Sequence, residues 1–201
     1  MGQENGWVRL TESNPGHSQW YVDRFRSLAS AGSDLAGEAR LVDAMLARGS
    51  RVLDAGCGTG RVGTFLAAAG HDVVGVDLDP VLVDAARQDH PGPRWLVGDL
   101  AELDLPAQGV VDGFDAVVCA GNVMTFVAPD TRREILRRML LHLRDGGRVV
   151  VGFGAGRGYD FGEFRADVAA VGLVPDLLLS TWDLRPYEDG SDFLVAVLRP
   201  G

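Results

Sequence analysis

An acid followed by three alternating glycines, Asp54-Ala55-Gly56-Cys57-Gly58-Thr59-Gly60, is the most chemically suggestive stretch of this 201-residue chain. The apolar pair Val52-Leu53 leads into it and a helical pattern follows. Glycine is needed where a backbone bends sharply and a ligand lies against it, because a Cβ would collide. Free amides at the start of the following helix offer hydrogen-bond donors to polar or anionic ligand groups. Two further acids stand in related places. Asp77 ends the next apolar run, Val73-Val74-Gly75-Val76, 21 residues after Gly56. A carboxylate there can accept hydrogen bonds from both ribose hydroxyls of a nucleoside. Its neighbour Asp79 has a structural task, capping the helix that starts at Pro80. Asp99, in Val97-Gly98-Asp99-Leu100, ends the third run, and in the same geometry it reaches an adenine amino group; a plain loop carboxylate is the alternative.

Two nucleoside cofactors compete for such a site. Gly58-Thr59-Gly60-Arg61-Val62-Gly63 matches the three-glycine dinucleotide pattern, but it starts four residues beyond Asp54. An acid at that strand edge repels a pyrophosphate and suits an ammonium or sulfonium group. The loop also lacks the lysine of a phosphate-binding P-loop. The 19 basic residues are all arginine, so a tyrosine–lysine proton donor for nicotinamide chemistry is missing as well.

The surrounding pattern indicates what positions these residues. Positions 1–16, ending in Asn14-Pro15-Gly16, are expected to be a flexible lead-in. The expected single domain spans 17–201, with cover helices in 17–49: one over Ser18–Ala31, with Tyr21, Phe25 and Leu28 on one face, and one over Asp34–Arg48 ended by Gly49. Strands are predicted at Arg51–Ala55, Asp72–Asp77, Arg94–Val97, Phe114–Cys119 and Gly147–Phe153. Helices are predicted at Gly60–Ala69, Pro80–Asp89, Asp130–Leu143 and Phe161–Val171. Valine-rich strands separated by helices imply a parallel sheet covered on both faces. Leu177–Trp182 and Asp192–Arg199 have only a Pro- and Gly-containing loop between them, so the last strand is expected to run antiparallel. The expected class is α/β: three layers, with a seven-stranded, mostly parallel sheet and helices on both faces.

These residues resemble a family. Asp54 to Gly60 is similar to motif I of the class I S-adenosylmethionine-dependent methyltransferases, and Asp77 stands at the matching distance. Gly98-Asp99-Leu100, Phe114-Asp115-Ala116-Val117-Val118 and Leu143-Arg144-Asp145-Gly146-Gly147-Arg148 are similar to the later motifs, so the resemblance covers Arg51 to about Phe153. It implies a Rossmann-like fold and S-adenosyl-L-methionine as cofactor. It places Gly56, Cys57, Gly58 and Gly60, next to Asp54, beneath the methionine portion, Asp77 with Leu78 at the ribose, and Asp99 with the Leu100 amide at adenine. It sets Ala120 and Asn122 opposite the methionine and the transferring methyl. An N-terminal helix commonly covers the pocket in such proteins, where Tyr21 or Arg26 would meet the methionine carboxylate; a cover helix with solvated arginines is the alternative. The exocyclic-amine methyltransferases of the family often carry an Asn/Asp-Pro-Pro-aromatic motif, where this chain has Asn122-Val123-Met124-Thr125.

No catalytic constellation stands out, and methyl transfer does not require one, since alignment and water exclusion do most of the work. Asn122 either orients a ligand or makes a local turn bond. Thr181 to Tyr187 either lines the acceptor pocket or packs over the sheet's end, and His17 is read as an exposed loop residue. Four scattered histidines and two cysteines give no metal spacing. Glycine is about 13% of the chain, against ~7% ordinarily, without a collagen period. The net charge of −9 opposes nucleic-acid binding. No apolar run approaches a membrane span and the first nine residues lack a signal core, so a cytoplasmic protein is expected. The expected activity is methylation of a small-molecule acceptor. A nicotinamide-dependent oxidoreductase and a non-catalytic S-adenosylmethionine-binding protein are the alternatives.

Overall fold

The computed structural model describes residues 4–201. Three helices, α1 (Gly6–Ser13), α2 (His17–Ser30) and α3 (Gly37–Ala44), precede the alternating part of the chain. There follow β1 (Arg51–Ala55), α4 (Arg61–Ala68), β2 (Asp72–Asp77), α5 (Pro80–Asp89), β3 (Arg94–Val97) and β4 (Phe114–Cys119). A short α6 (Val123–Phe126), α7 (Arg132–Leu141), β5 (Leu143–Gly154), α8 (Phe161–Ala170), β6 (Leu173–Leu179) and β7 (Phe193–Pro200) complete it. The sheet order is β3-β2-β1-β4-β5-β7-β6, with β7 antiparallel to both its neighbours and the first five strands mutually parallel. The predicted seven strands and reversed last strand are therefore present.

Alternation along each strand divides the core into two layers. Leu53, Val74, Val117 and Val151 meet Ile135, Leu136 and Met139 of α7 and Phe164 of α8 on one face. Val52, Val73, Ala116 and Val150 meet Val42 of α3 and Val62 and Leu66 of α4 on the other. On this second face Trp95 lies against Val83 and Ala86 of α5, and a Cβ on Gly63 or Gly75 would collide with its ring. Those glycines give close helix–sheet packing around one indole.

Several boundaries differ from expectation. The second cover helix is shorter than Asp34–Arg48 at both ends: it ends at Ala44, and Asp34 stands before it, its carboxylate accepting from the Ala36 N–H and from Arg40 in the helix. β6 starts at Leu173, directly after Gly172, rather than at Leu177. It tolerates Pro175 because it is an edge strand with a register shift between Pro175 and Leu177. β5 starts at Leu143, extending back past Gly147 across a bulge opposite Phe114 and Ala116.

The lead-in differs most. Positions 1–3 lie outside the described residues, but Gly6–Ser13 is helical. The Asn5 side chain caps it by accepting from the Trp7 and Val8 N–H groups. The Trp7 indole N–H donates to Asp79 at 2.8 Å, and its ring meets Tyr21 and Phe126 edge-on. This anchorage is tertiary, and the short polar stretch carries no periodicity that would announce it.

Candidate functional site

The sheet's carboxyl edge, where β1, β2, β3 and β4 end, opens into a cavity of about 500 Å³ roofed by α1, α2 and α6. That volume suits a nucleoside-sized ligand with a small partner. The loop after β1 forms its floor. The N–H groups of Gly56 and Cys57 both donate to the Val76 carbonyl, at 2.8 and 3.0 Å, which folds the loop over the end of β2. Gly56, Gly58 and Gly60 all adopt positive φ, at +82°, +53° and +83°.

Their surroundings separate the three glycines. A Cβ on Gly56 would collide with the Val123 side chain, which lines the cavity. A Cβ on Gly60 would lie 3.0 Å from the Trp95 ring, on the side away from the cavity. At Gly58 the nearest atom to such a Cβ is Cε1 of Tyr21 at 3.9 Å, across open cavity. Gly60 is therefore a packing glycine, a correction to its expected ligand-facing position. Because Gly63 also packs on Trp95, the three-glycine dinucleotide pattern does not form a phosphate bed here.

Three acids line the cavity. Asp77 is held by two backbone donors, Gly58 N–H to Oδ2 at 2.8 Å and Asp79 N–H to Oδ1 at 2.9 Å. Each oxygen keeps a further lone pair for a ligand hydroxyl. Burial pushes its pKa up, against the lowering effect of those donors. Asp54 is fully enclosed, with the Gly63 N–H donating to Oδ2 at 2.9 Å. Burial raises its pKa from 3.8 to about 7, opposed by that hydrogen bond and by Arg61. Asp99 caps a 3-10 turn, Leu100–Glu102, by accepting from Ala101 N–H at 2.8 Å, and lines the cavity with Leu100.

Leu78, Ala120, Cys57 and Tyr21 also line the cavity. Burial pushes up the thiols of Cys57 and Cys119 and the phenol of Tyr21, so all three hold their protons at neutral pH.

Two expected residues are elsewhere. Arg26 pairs with Asp89 at 2.8 Å on the protein surface and does not line the cavity. It lies two helix positions after Arg24, which turns it about 200° away from the residue that does line it. Asn122 has a positive φ of 66°, and its Oδ1 accepts from the Gly154 N–H at 2.8 Å. It fastens the end of β4 to the end of β5 and is not a lining residue, so the bond is structural but longer-ranged than a turn. Thr181 to Tyr187 also fails to reach the cavity. Trp182 packs over Gly152 and beside Phe193, on a separate groove shared with α3.

Sequence reasoning missed Trp7, Arg61, Val123 and Arg157 as lining residues, and read His17 as exposed where it packs between Trp7 and Trp20 in the wall. Arg61 is bound by Glu38 in the first turn of α3 and by the Leu35 carbonyl just before it, tying α4 to the start of α3. Among the described residues, no group of three or more His, Cys, Asp or Glu side chains is placed to hold a metal. No helix among them is long and apolar enough to cross a membrane.

The roof has one polar fastening. Buried Asp79 accepts from the Trp7 indole, the Ser18 hydroxyl and the Val81 N–H, joining α1, α2 and the start of α5. Asp79→Ala is expected to lower stability by about 2 kcal/mol, because it removes an N-cap and strands two side-chain donors. Urea denaturation checks this, and a loss below about 0.5 kcal/mol would show that these bonds do not hold the roof.

Comparison with known proteins bears on this geometry. Residues 52–147 match a family described as a methyltransferase domain. The magnesium-protoporphyrin O-methyltransferase of Rhodobacter capsulatus is 36% identical over 137 residues, covering 64% of this chain and 55% of that protein. The malonyl-[acyl-carrier protein] O-methyltransferase of Pectobacterium atrosepticum is 37% identical over 109 residues, covering 54% and 39%. The chain thus spans about half or less of the length of these curated relatives. The crystal structure of a TehB-like S-adenosylmethionine-dependent methyltransferase from Corynebacterium glutamicum is 50% identical, with a TM-score of 0.88, over 94% of this chain and 100% of that one. With its motifs, its sheet order and a half-identical relative matched along its whole length, the chain belongs to the class I S-adenosylmethionine-dependent methyltransferases.

Proposed function

We propose that this chain methylates a small-molecule acceptor inside the cavity at the sheet's carboxyl edge. One observation carries the reading: Gly58 presents bare backbone to open space beneath Tyr21, while its N–H fixes Asp77 alongside. A sugar-bearing ligand can lie against that loop, and a side chain there would take its place. The residues present fit the cofactor. Asp77 accepts from the ribose hydroxyls, with Leu78 beside it. Asp99 and the Leu100 amide hold adenine. Gly56, Cys57, Gly58 and Ala120 bed the methionine portion, and the Asp54 carboxylate faces its cationic end. Tyr21 closes the roof above the loop.

S-adenosylmethionine supplies an electrophilic methyl group when bound, so the protein's share is orientation and the exclusion of water. The aromatic roof of Trp7, Tyr21 and Phe126, whose rings meet edge-on, shields the cavity from water. The protonated, buried thiols take no part as nucleophiles. His17 is the one imidazole lining the cavity among the described residues, and it is the group placed to take a proton where an acceptor carries one. The net charge of −9 supports a small acceptor rather than a nucleic acid.

Asp77→Ala is expected to weaken cofactor binding by about 1–3 kcal/mol, the scale of losing charge-assisted hydrogen bonds. Calorimetric titration with S-adenosylmethionine reads this directly, and an unchanged Kd would remove Asp77 from the ribose. The same titration with NAD(P)H is expected to show no binding. Formation of S-adenosylhomocysteine on addition of acceptor separates an enzyme from a non-catalytic binder.

A further inference from the structure

Most of the 19 arginines are neutralised by the 28 acids of this chain. Three arginines line the cavity: Arg24, Arg61 and Arg157. Arg61 is occupied by Glu38 and the Leu35 carbonyl. Among the described residues, Arg24 and Arg157 have neither an ion pair nor a hydrogen bond, although the chain carries an excess of acid. Both residues are solvent-exposed at the cavity's rim, where an unpaired guanidinium can meet an anion brought from outside.

Their positions differ. Arg24 lies one turn after Tyr21 on α2, with its guanidinium 5.5 Å from the Trp20 ring. Tyr21 faces Gly58, so Arg24 belongs to the roof above the glycine loop. Arg157 comes from the chain beyond β5. Its Nε lies 3.2 Å from where a Gly154 Cβ would stand, and the Gly154 N–H is held by Asn122 at the end of β4. Asn122 thus fixes the backbone against which Arg157 rests, beside the Ala120–Gly121 wall.

The cofactor brings one carboxylate, and the cavity offers two free guanidiniums. The roof position of Arg24 suits the carboxylate of a methionine portion lying on the glycine loop. That leaves Arg157 without a partner in the binary complex. We propose that Arg157 recognises the methyl acceptor, and that the acceptor is an aromatic carboxylate whose ring lies against Trp7, Trp20 and Phe126. The like-charged Asp54 and Asp77 keep such an anion away from the floor, so one charged contact also sets its orientation. This inference rests on the methyltransferase reading of the cavity.

The test uses the full chain saturated with S-adenosylhomocysteine, with benzoate and its neutral isostere benzamide as probes. Trp7 and Trp20 report occupancy through their fluorescence. Benzoate is expected to bind saturably and roughly fivefold or more tightly than benzamide, the scale of one charge-assisted contact. Arg157→Gln is expected to erase that preference while calorimetry shows S-adenosylhomocysteine binding within about twofold of the parent. Arg157→Lys, which retains the charge without the fork, is expected to keep part of it. Equal binding of the two probes, no saturable binding of either, or a preference that survives Arg157→Gln would each overturn the assignment. A preference abolished by Arg24→Gln instead would reverse the two roles and overturn it as well. Failure of S-adenosylhomocysteine itself to bind would take down the methyltransferase reading together with this inference. Normal cofactor binding without carboxylate preference sinks this inference alone.

Discussion

Gly58→Val is expected to weaken S-adenosylmethionine binding by roughly 100-fold or more, about 3 kcal/mol, while the far-ultraviolet circular dichroism remains that of the parent. A side chain at position 58 would meet open space rather than protein. Its first carbon would point into the cavity, with no protein atom nearer than Tyr21 Cε1 at 3.9 Å. A valine therefore takes ligand space without displacing protein. Some stability is also lost, about 1–2 kcal/mol, because a β-branched residue is strained at a φ of +53°. Gly58→Ala shares most of that backbone strain with less bulk, so a graded loss of binding from alanine to valine isolates the steric effect. Neighbouring glycines cannot serve this purpose. Gly56→Ala meets Val123 and Gly60→Ala meets Trp95, so either would perturb packing before it touched a ligand. Calorimetry on the folded Gly58→Val protein decides the matter. Affinity within about tenfold of the parent would mean that no cofactor lies on this loop.

The parts of this site legible in the sequence are those fixed by the parallel sheet. Strands buried on both faces read as valine-rich runs, so β1, β2 and β4 and the positions of Asp54 and Asp77 follow from local pattern, whereas β3, a half-exposed edge strand, is marked only by its place in the alternation and by the Gly98-Asp99 step after it. The glycine count was legible, but its division was not. Gly58 serves the cavity, whereas Gly60 and Gly63 serve Trp95, a residue more than 30 positions away in the chain. The same applies to α2. Its amphipathic face is visible from spacing, but that the cavity lies on the side of Tyr21 and Arg24, leaving Arg26 to pair outward with Asp89, appears only when Tyr21 is seen to face Gly58. Asn122 marked itself by sitting among apolar residues, yet its partner is the Gly154 backbone across the sheet rather than a ligand. α1 was invisible because one indole bonded to Asp79 anchors it, and no period in eight residues records that. Arg157 carries no local signal; its character appears only in the fold, where it lines the cavity and, among the described residues, pairs with no carboxylate. What local sequence misses in each case is a long-range partner, and those partners select which of several similar residues face the cavity.

Asp54 ties the stability of the empty protein to its affinity for a cation, with opposite signs. Its carboxyl is pushed from 3.8 up to about 7 by burial, so the empty fold accommodates the neutral acid better than the carboxylate. The associated stabilisation is fully present below about pH 4 and is lost as pH rises through about 7. At pH 8 the empty protein therefore holds an unfavourable buried charge, relieved only in part by the Gly63 N–H and by Arg61. Asp54→Asn keeps an oxygen to accept from Gly63 and removes that charge. It is expected to stabilise the empty protein by about 2–4 kcal/mol at pH 8 and by much less at pH 5. Binding responds in the other direction. The sulfonium and ammonium of the cofactor favour the ionised acid, so affinity in the parent is expected to rise about tenfold per pH unit from 5 to 7 and to level off above 8. The variant is expected to bind more weakly at pH 8 and with a shallower slope. Asp77, whose pKa burial also raises, supplies the slope that remains. Thermal unfolding of the empty protein and calorimetry across pH measure the two effects on the same samples. A variant that binds at pH 8 as tightly as its parent, or keeps the parental slope, would show that the buried acid does not face the cofactor's positive charge. Should both effects appear, the destabilising carboxylate under the glycine loop is retained for binding, which is where a stability penalty of this size belongs.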